Sequence, residues 1–171
     1  MKAHVTKIKT LFTLVLVASL MAMAPADSAV KTDFTGEWTL DQSKSNLGEF
    51  GAFMAAAKLS VKQAADAITI VRNQTSPMGE SVTTDKLTVD GKETTSTGGM
   101  EGSVRKATVK LAADGNSFTV SSNTKMNFNG DTFEIAATEV WSLSADGKTL
   151  TIDNTSTTPM GANTIKAVYT K

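Results

Sequence analysis

The sequence predicts an all-β protein: a single antiparallel up-and-down barrel of about ten strands, with one short helical segment after the first strand. Three observations support this. From residue 33 onward, short segments alternate apolar and polar residues with the period of a half-buried strand. Asp-Gly turn signals at 90–91, 114–115 and 146–147 separate several of these segments. Only the stretch 46–57 combines helix-forming alanines with spaced apolar residues.

The candidate strands are rich in Thr, Val, Ile and Phe. They are 33–41, 58–64, 67–75, 80–90, 92–97, 103–112, 117–128, 131–144, 149–157 and 162–170. One face of the clearest strands is apolar and the other carries mainly Thr, Ser, Lys and Asn, which indicates an apolar interior and a wet outer surface. The side chains expected inside are Trp38, Phe118, Val120, Phe133, Ile135, Trp141, Leu150 and Ile152. This polarity excludes an outer-membrane barrel.

The first 26 residues have the features of a signal peptide. Lysines precede an apolar run from Leu11 to Met23, and the small residues at 24–26 form a cleavage site. We therefore expect cleavage before Asp27, a folded domain over 27–171, and a periplasmic or secreted location. The domain is mildly acidic without basic runs, which disfavours nucleic-acid binding, and we expect no stable membrane insertion.

The scarcity of reactive side chains argues against an enzyme. The chain has no cysteine, and its one histidine, His4, lies in the segment expected to be removed. Without them the domain has no Ser-His-Asp triad, no Cys-His pair and no imidazole or thiolate metal site. We expect no catalytic residue, no metal and no cofactor. An enzymatic interpretation would have to use Glu139 as its acid-base group.

Strand order assigns the loops to the two ends of the barrel. Tight turns follow the even strands, whereas mainly longer joins follow the odd strands, so one end is closed and the other is the loop end. The methionines of the domain all sort to the loop end: Met54, Met78, Met100, Met126 and Met160. They are interpreted as adaptable apolar lining, as thioether ligands of Cu(I), or as loop anchors. The segment 46–57 is expected to lie over this end, either as a gate or as a packed connector.

Inward-facing polar residues carry the functional prediction. Period-two alternation points Arg72, Gln74, Arg105, Glu139 and Asn154 into the barrel, where an unpaired charge is costly. They form an internal Arg–Glu pair or a grip on a ligand carboxylate or phosphate, unless a one-residue shift in strand register turns one of them outward. Two arginines without equal acidic neighbours would favour an anionic head group, and replacing either with alanine would then weaken binding with little loss of stability. The predicted ligand-binding residues are Arg72, Gln74, Arg105, Glu139, Met54, Met78, Met100 and Met160.

Two stretches resemble a known group of proteins. The run Phe34 to Asp41, with Gly36-Glu37-Trp38, resembles the opening of bacterial secreted lipocalin-like proteins, whose first strand carries Gly-x-Trp. The run Trp141 to Ile152 is similar to their penultimate hairpin. The resemblance implies a calycin-type barrel, a fold whose better-known members enclose small hydrophobic ligands. Lipocalins proper place a late arginine against the first-strand tryptophan, whereas this chain reads Tyr-Thr-Lys at 169–171.

These observations together predict an exported barrel that binds a small hydrophobic or amphipathic anionic molecule. The alternative is a protein-binding module, for instance an inhibitor or an envelope partner, that uses the methionine-rich loop end. A deep cavity would favour the first function, and a filled interior with an exposed apolar rim would favour the second.

Overall fold

A computed structural model of the chain describes residues 32–48, 51–76, 79–98, 102–128, 131–159 and 161–171. Within these residues the strands are β1 (Gly36–Leu40), β2 (Lys58–Gln63), β3 (Ala67–Ser76), β4 (Gly79–Thr88), β5 (Thr94–Thr97), β6 (Val104–Leu111), β7 (Ser117–Phe128), β8 (Asp131–Leu143), β9 (Thr149–Thr158) and β10 (Gly161–Thr170). One helical turn, α1 (Gly51–Met54), lies between β1 and β2. The ten predicted strands are confirmed, each end to within three residues.

The strands form one antiparallel sheet in the order β4-β3-β2-β1-β10-β9-β8-β7-β6-β5. Because β1 pairs with β10, the sheet curls into a nearly closed up-and-down barrel. Within the described ranges no backbone ladder joins β4 to β5, the two ends of the sheet. A side-chain contact crosses this seam instead, since Ser96 Oγ donates a hydrogen bond to Asp85 Oδ1 at 2.6 Å.

The Asp-Gly turns close one end of the barrel, as predicted. The glycine of each turn has a positive φ between 68° and 76°, a conformation that glycine adopts without a Cβ penalty. The preceding aspartate accepts a hydrogen bond from the backbone two residues later, as Asp90 does from Lys92 and Asp114 from Asn116. Local chemistry alone therefore fixes these turns.

The core fills the closed half of the barrel, next to these turns. The ring of Phe118 stacks on Trp141 at 5.3 Å and meets the edge of Phe34 at 4.8 Å. Trp38 is buried and its Nε1 donates a hydrogen bond to the carbonyl oxygen of Phe34 at 3.1 Å. Six of the eight side chains expected inside are buried, and the exceptions, Phe133 and Ile135, are half-buried.

The predicted helical segment at 46–57 contains only the single turn α1 among its described residues, and residues 49–50 lie outside them. A longer helix there stays a prediction. The turn packs closely on β10, because a Cβ placed on Gly51 would come within 2.8 Å of Ile165 Cγ2. No described helix reaches the length and apolar character needed to cross a membrane.

Candidate functional site

The burial of inward-facing side chains changes along β7 and β8. On β8, Glu139 and Trp141 are buried, whereas Ala137, Ile135 and Phe133 are half-buried. On β7 the side chains change in the same way, from buried Phe118 and Val120 to half-buried residues beyond them. We call the half-buried set the inner wall; it comprises Ser122, Thr124, Met126, Phe133, Ile135 and Ala137, which pair across β7 and β8. Solvent therefore reaches part of the interior at the loop end.

Four charged side chains form the floor of this open half. Arg72 Nη2 lies 2.7 Å from Glu139 Oε2 and 3.9 Å from Asp85 Oδ2. Arg105 makes a close ion pair with Asp85, and its Nη2 lies 3.3 Å from Glu139 Oε1. We call these four residues the charge quartet. Because two cations meet two anions, the quartet carries no net charge.

Neighbouring polar groups and a ring fix the orientation of the quartet. Trp141 Nε1 donates to Glu139 Oε2 at 2.9 Å, and Arg105 Nη2 donates to Ser122 Oγ at 3.1 Å. The guanidinium carbon of Arg72 lies 5.4 Å from the centroid of the Trp141 ring, within cation–π range. The quartet thus links β3, β4, β6 and β8 through contacts that hold each side chain in one position.

The quartet is buried to different depths. The exposed fraction of the side chain is 3% for Asp85, 11% for Glu139, 12% for Arg72 and 18% for Arg105. Arg105 is therefore the member that a solute would meet most readily. Burial, and next the charge of Arg72, lower the pKa of Arg105 against the pull of the two carboxylates. Burial also opposes the charge of Arg72, but Glu139 and Asp85 outweigh it and raise the pKa of Arg72. Both guanidinium groups keep their charge.

Three of the four quartet residues are predicted from the sequence to face inward, and the fourth, Asp85, is not. Arg72, Arg105 and Glu139 all face inward and meet, as the internal ion-pair interpretation requires. The expectation that the arginines lack equal acidic neighbours is wrong, because Asp85 supplies the second carboxylate. Its alternation with buried Leu87 on β4 is the signal that points Asp85 inward.

The other predicted binding residues lie nearer the loop end. Gln74 Nε2 donates to the carbonyl oxygen of Met54 at 3.1 Å, and Asn163 Nδ2 contacts Met54 Sδ at 3.5 Å, so these contacts tie α1 to β3 and β10. Met126 lies on the inner wall. Met78, Met100 and Met160 lie outside the described residues, so their clustering and the gate and copper interpretations stay predictions.

A small cavity of about 40 Å³ lies beside the quartet. Its lining includes Met54, Arg72, Glu139, Asn154, Ile165 and Tyr169. Burial raises the pKa of the Tyr169 hydroxyl, although Arg72 opposes the shift, so the phenol stays protonated. Two of the lining residues each have a buried polar atom, Arg72 Nη1 and Asn154 Oδ1, that has no hydrogen-bond partner within the described part of the chain.

No family model matches the sequence. No curated protein sequence matches it either. The chain is similar to the crystal structure of zebrafish ileal bile acid-binding protein complexed with cholic acid, with a TM-score of 0.49, 18% sequence identity, and coverage of 81% of this chain and 98% of that chain.

Proposed function

We propose that the protein binds a small hydrophobic or amphipathic molecule in the open half of the barrel. The observation that carries this proposal is the half-burial of the inward-facing apolar side chains Phe133, Ile135 and Met126. In the closed half the corresponding positions are packed and buried. Covering the exposed apolar surface of the inner wall with a ligand is favourable by about 25 cal/mol for each Å² removed from water.

The charge quartet supports the amphipathic part of this proposal. It places oriented polar groups beneath the apolar side chains of the inner wall, which suits a ligand with an apolar body and one polar end. An anionic end gains less here than the sequence suggested, because it must compete with Asp85 and Glu139 for the two guanidinium groups. The proposed location, periplasmic or secreted, depends on the signal-peptide features alone.

The test places a large side chain in the open half and compares probe binding with that of a variant changed at a neighbouring outward position. Ala137 faces inward next to Glu139, whereas Ala136 is exposed on the outer face. The neutral fluorescent probe N-phenyl-1-naphthylamine is titrated into the protein that begins at Asp27. We expect saturable binding to the wild type, at least about tenfold weaker binding to Ala137→Phe, and unchanged binding to Ala136→Phe, because only the Ala137→Phe ring projects onto the inner wall.

A second variant guards against misfolding of Ala137→Phe. Phe133→Ser removes apolar surface from the inner wall without adding volume, so it is expected to weaken probe binding while circular dichroism shows an unchanged β-sheet spectrum. Absence of probe binding to the wild type contradicts the proposal. Equal binding to the two alanine variants, both folded, also contradicts it.

A further inference from the structure

The small cavity beside the quartet lies between the packed half and the open half of the barrel. Its lining combines buried Glu139 and Tyr169 with half-buried Met54, Arg72 and Asn154. A cavity of about 40 Å³ has room for a small polar group, since a site needs only about 10–15 Å³ of such volume to hold one water molecule. It therefore fits the polar end of a ligand rather than a whole ligand.

The unpartnered atoms in this region define what such a group must offer. Arg72 Nη1 is a buried donor that needs an acceptor, and Asn154 Oδ1 is a buried acceptor that needs a donor. Buried polar groups of this kind are rare because each one forfeits its hydrogen bonds to water.

A carboxylate meets only half of these requirements. It would accept from Arg72 Nη1, but it has no proton to give to Asn154 Oδ1. It would also lie beside Glu139, whose carboxylate lines the same cavity, and like charges repel at this depth. A hydroxyl or a primary amide both accepts and donates, and carries no charge.

We propose that this cavity is the head-group subsite of the barrel and selects an uncharged hydroxyl or primary amide over a carboxylate. The selection rests on the proposed function, because the apolar body of the same molecule lies on the inner wall. Arg72 and Asn154 are then the specificity-determining residues, and the four charges of the quartet already balance one another before any ligand enters.

The experiment compares ligands that share one tail. Decan-1-ol, decanoate and decane displace N-phenyl-1-naphthylamine from the protein at pH 8, where decanoate is ionised. We expect decan-1-ol to bind about tenfold more tightly than decanoate and more tightly than decane, because only the alcohol satisfies both unpartnered atoms. Decanoate binding as tightly as decan-1-ol overturns the head-group inference but leaves the proposed function standing. If neither the probe nor any ligand binds, the proposed function itself fails.

Two variants locate the effect in the cavity. Asn154→Leu removes the acceptor at similar volume and should reduce the preference for decan-1-ol over decane several-fold, with decane affinity unchanged. Asn154→Ala also removes the acceptor and should reduce the same preference, so it replaces Asn154→Leu if that variant does not fold. Asn123→Leu, on the outward face of β7, is the matched control and should leave the preference unchanged. An unchanged preference in folded Asn154→Leu or, where that variant does not fold, in Asn154→Ala overturns the inference.

Discussion

Replacing Asp85 with asparagine is expected to destabilise the barrel by about 3–5 kcal/mol, the range for removing one partner of a buried ion pair. Asparagine keeps the shape of the side chain and an oxygen for Ser96 Oγ, which donates to Asp85 at 2.6 Å. The charge, however, is lost at a site where the side chain is only 3% exposed. Glu139 would then face two guanidinium groups alone, and the quartet would carry one uncompensated positive charge.

The coupling within the quartet gives a second measurable quantity. The variant Asp85→Asn with Arg105→Gln restores a neutral interior, so its loss of stability should be smaller than the sum of the two single losses. An interaction free energy of about 0.5–3 kcal/mol is expected for groups in one network. Urea unfolding followed by tryptophan fluorescence measures all three variants, because Trp141 contacts the quartet directly.

The control for this cycle is an exposed ion pair. Lys125 Nζ and Glu134 Oε1 are 2.9 Å apart, with both side chains more than half exposed, so Glu134→Gln should change the unfolding free energy little. If Asp85→Asn is as stable as this control, the quartet does not stabilise the fold in the way that its burial implies. Strict additivity of Asp85→Asn and Arg105→Gln would refute the coupling.

Three further outcomes are expected. N-terminal sequencing of the protein purified from its host should begin at Asp27, and a retained leader in the envelope fraction contradicts the signal-peptide prediction. A hydrogen bond from Ser43, and then one from Lys44, lower the pKa of Asp41 from 3.8 to about 2. The ionised carboxylate therefore stabilises the fold above about pH 4, and this contribution is lost as the pH falls towards 2. The thermal unfolding temperature of Asp41→Asn should accordingly depend less on pH between 4 and 2 than that of the wild type. Gly51→Ala should lower the free energy of unfolding in urea by about 1–3 kcal/mol, because the added Cβ would press on Ile165. A variant as stable as the wild type would show that α1 can move away from β10.

The strands could be predicted from the sequence because their signals are local. β8 alternates Phe133, Ile135 and Trp141 with outward-facing residues over its whole length, and Asp-Gly pairs mark the turns at the closed end. Neither signal depends on residues far away in the chain. The absence of backbone pairing between the described residues of β4 and β5, in contrast, depends on how far the whole sheet curls. No local sequence pattern predicts that curvature.

Asp85 was missed for a reason that lies in β4 itself. Both faces of its first half are polar, and its apolar side chain there, Val82, points outward and is 59% exposed. Apolar alternation therefore gives the wrong face for this strand until Leu87 is taken as the reference. A strand at the edge of a sheet is less constrained by packing than a central strand, so its polarity pattern is a weaker guide.

The balanced quartet also changes how ligand binding can be tested. The sequence suggested that an arginine could be removed with little loss of stability, but Arg72→Ala would leave Glu139 buried with one of its two counter-charges gone. Loss of binding in that variant would then follow from a disturbed barrel as readily as from a lost ligand contact. Ala137 makes no polar side-chain contact and lies next to the quartet, so a change there alters the space for a ligand without unpairing a charge. Variants of the inner wall therefore report on ligand binding, and variants of the quartet report on the stability of the barrel. The two measurements together distinguish residues that contact a ligand from residues that stabilise the fold beneath it.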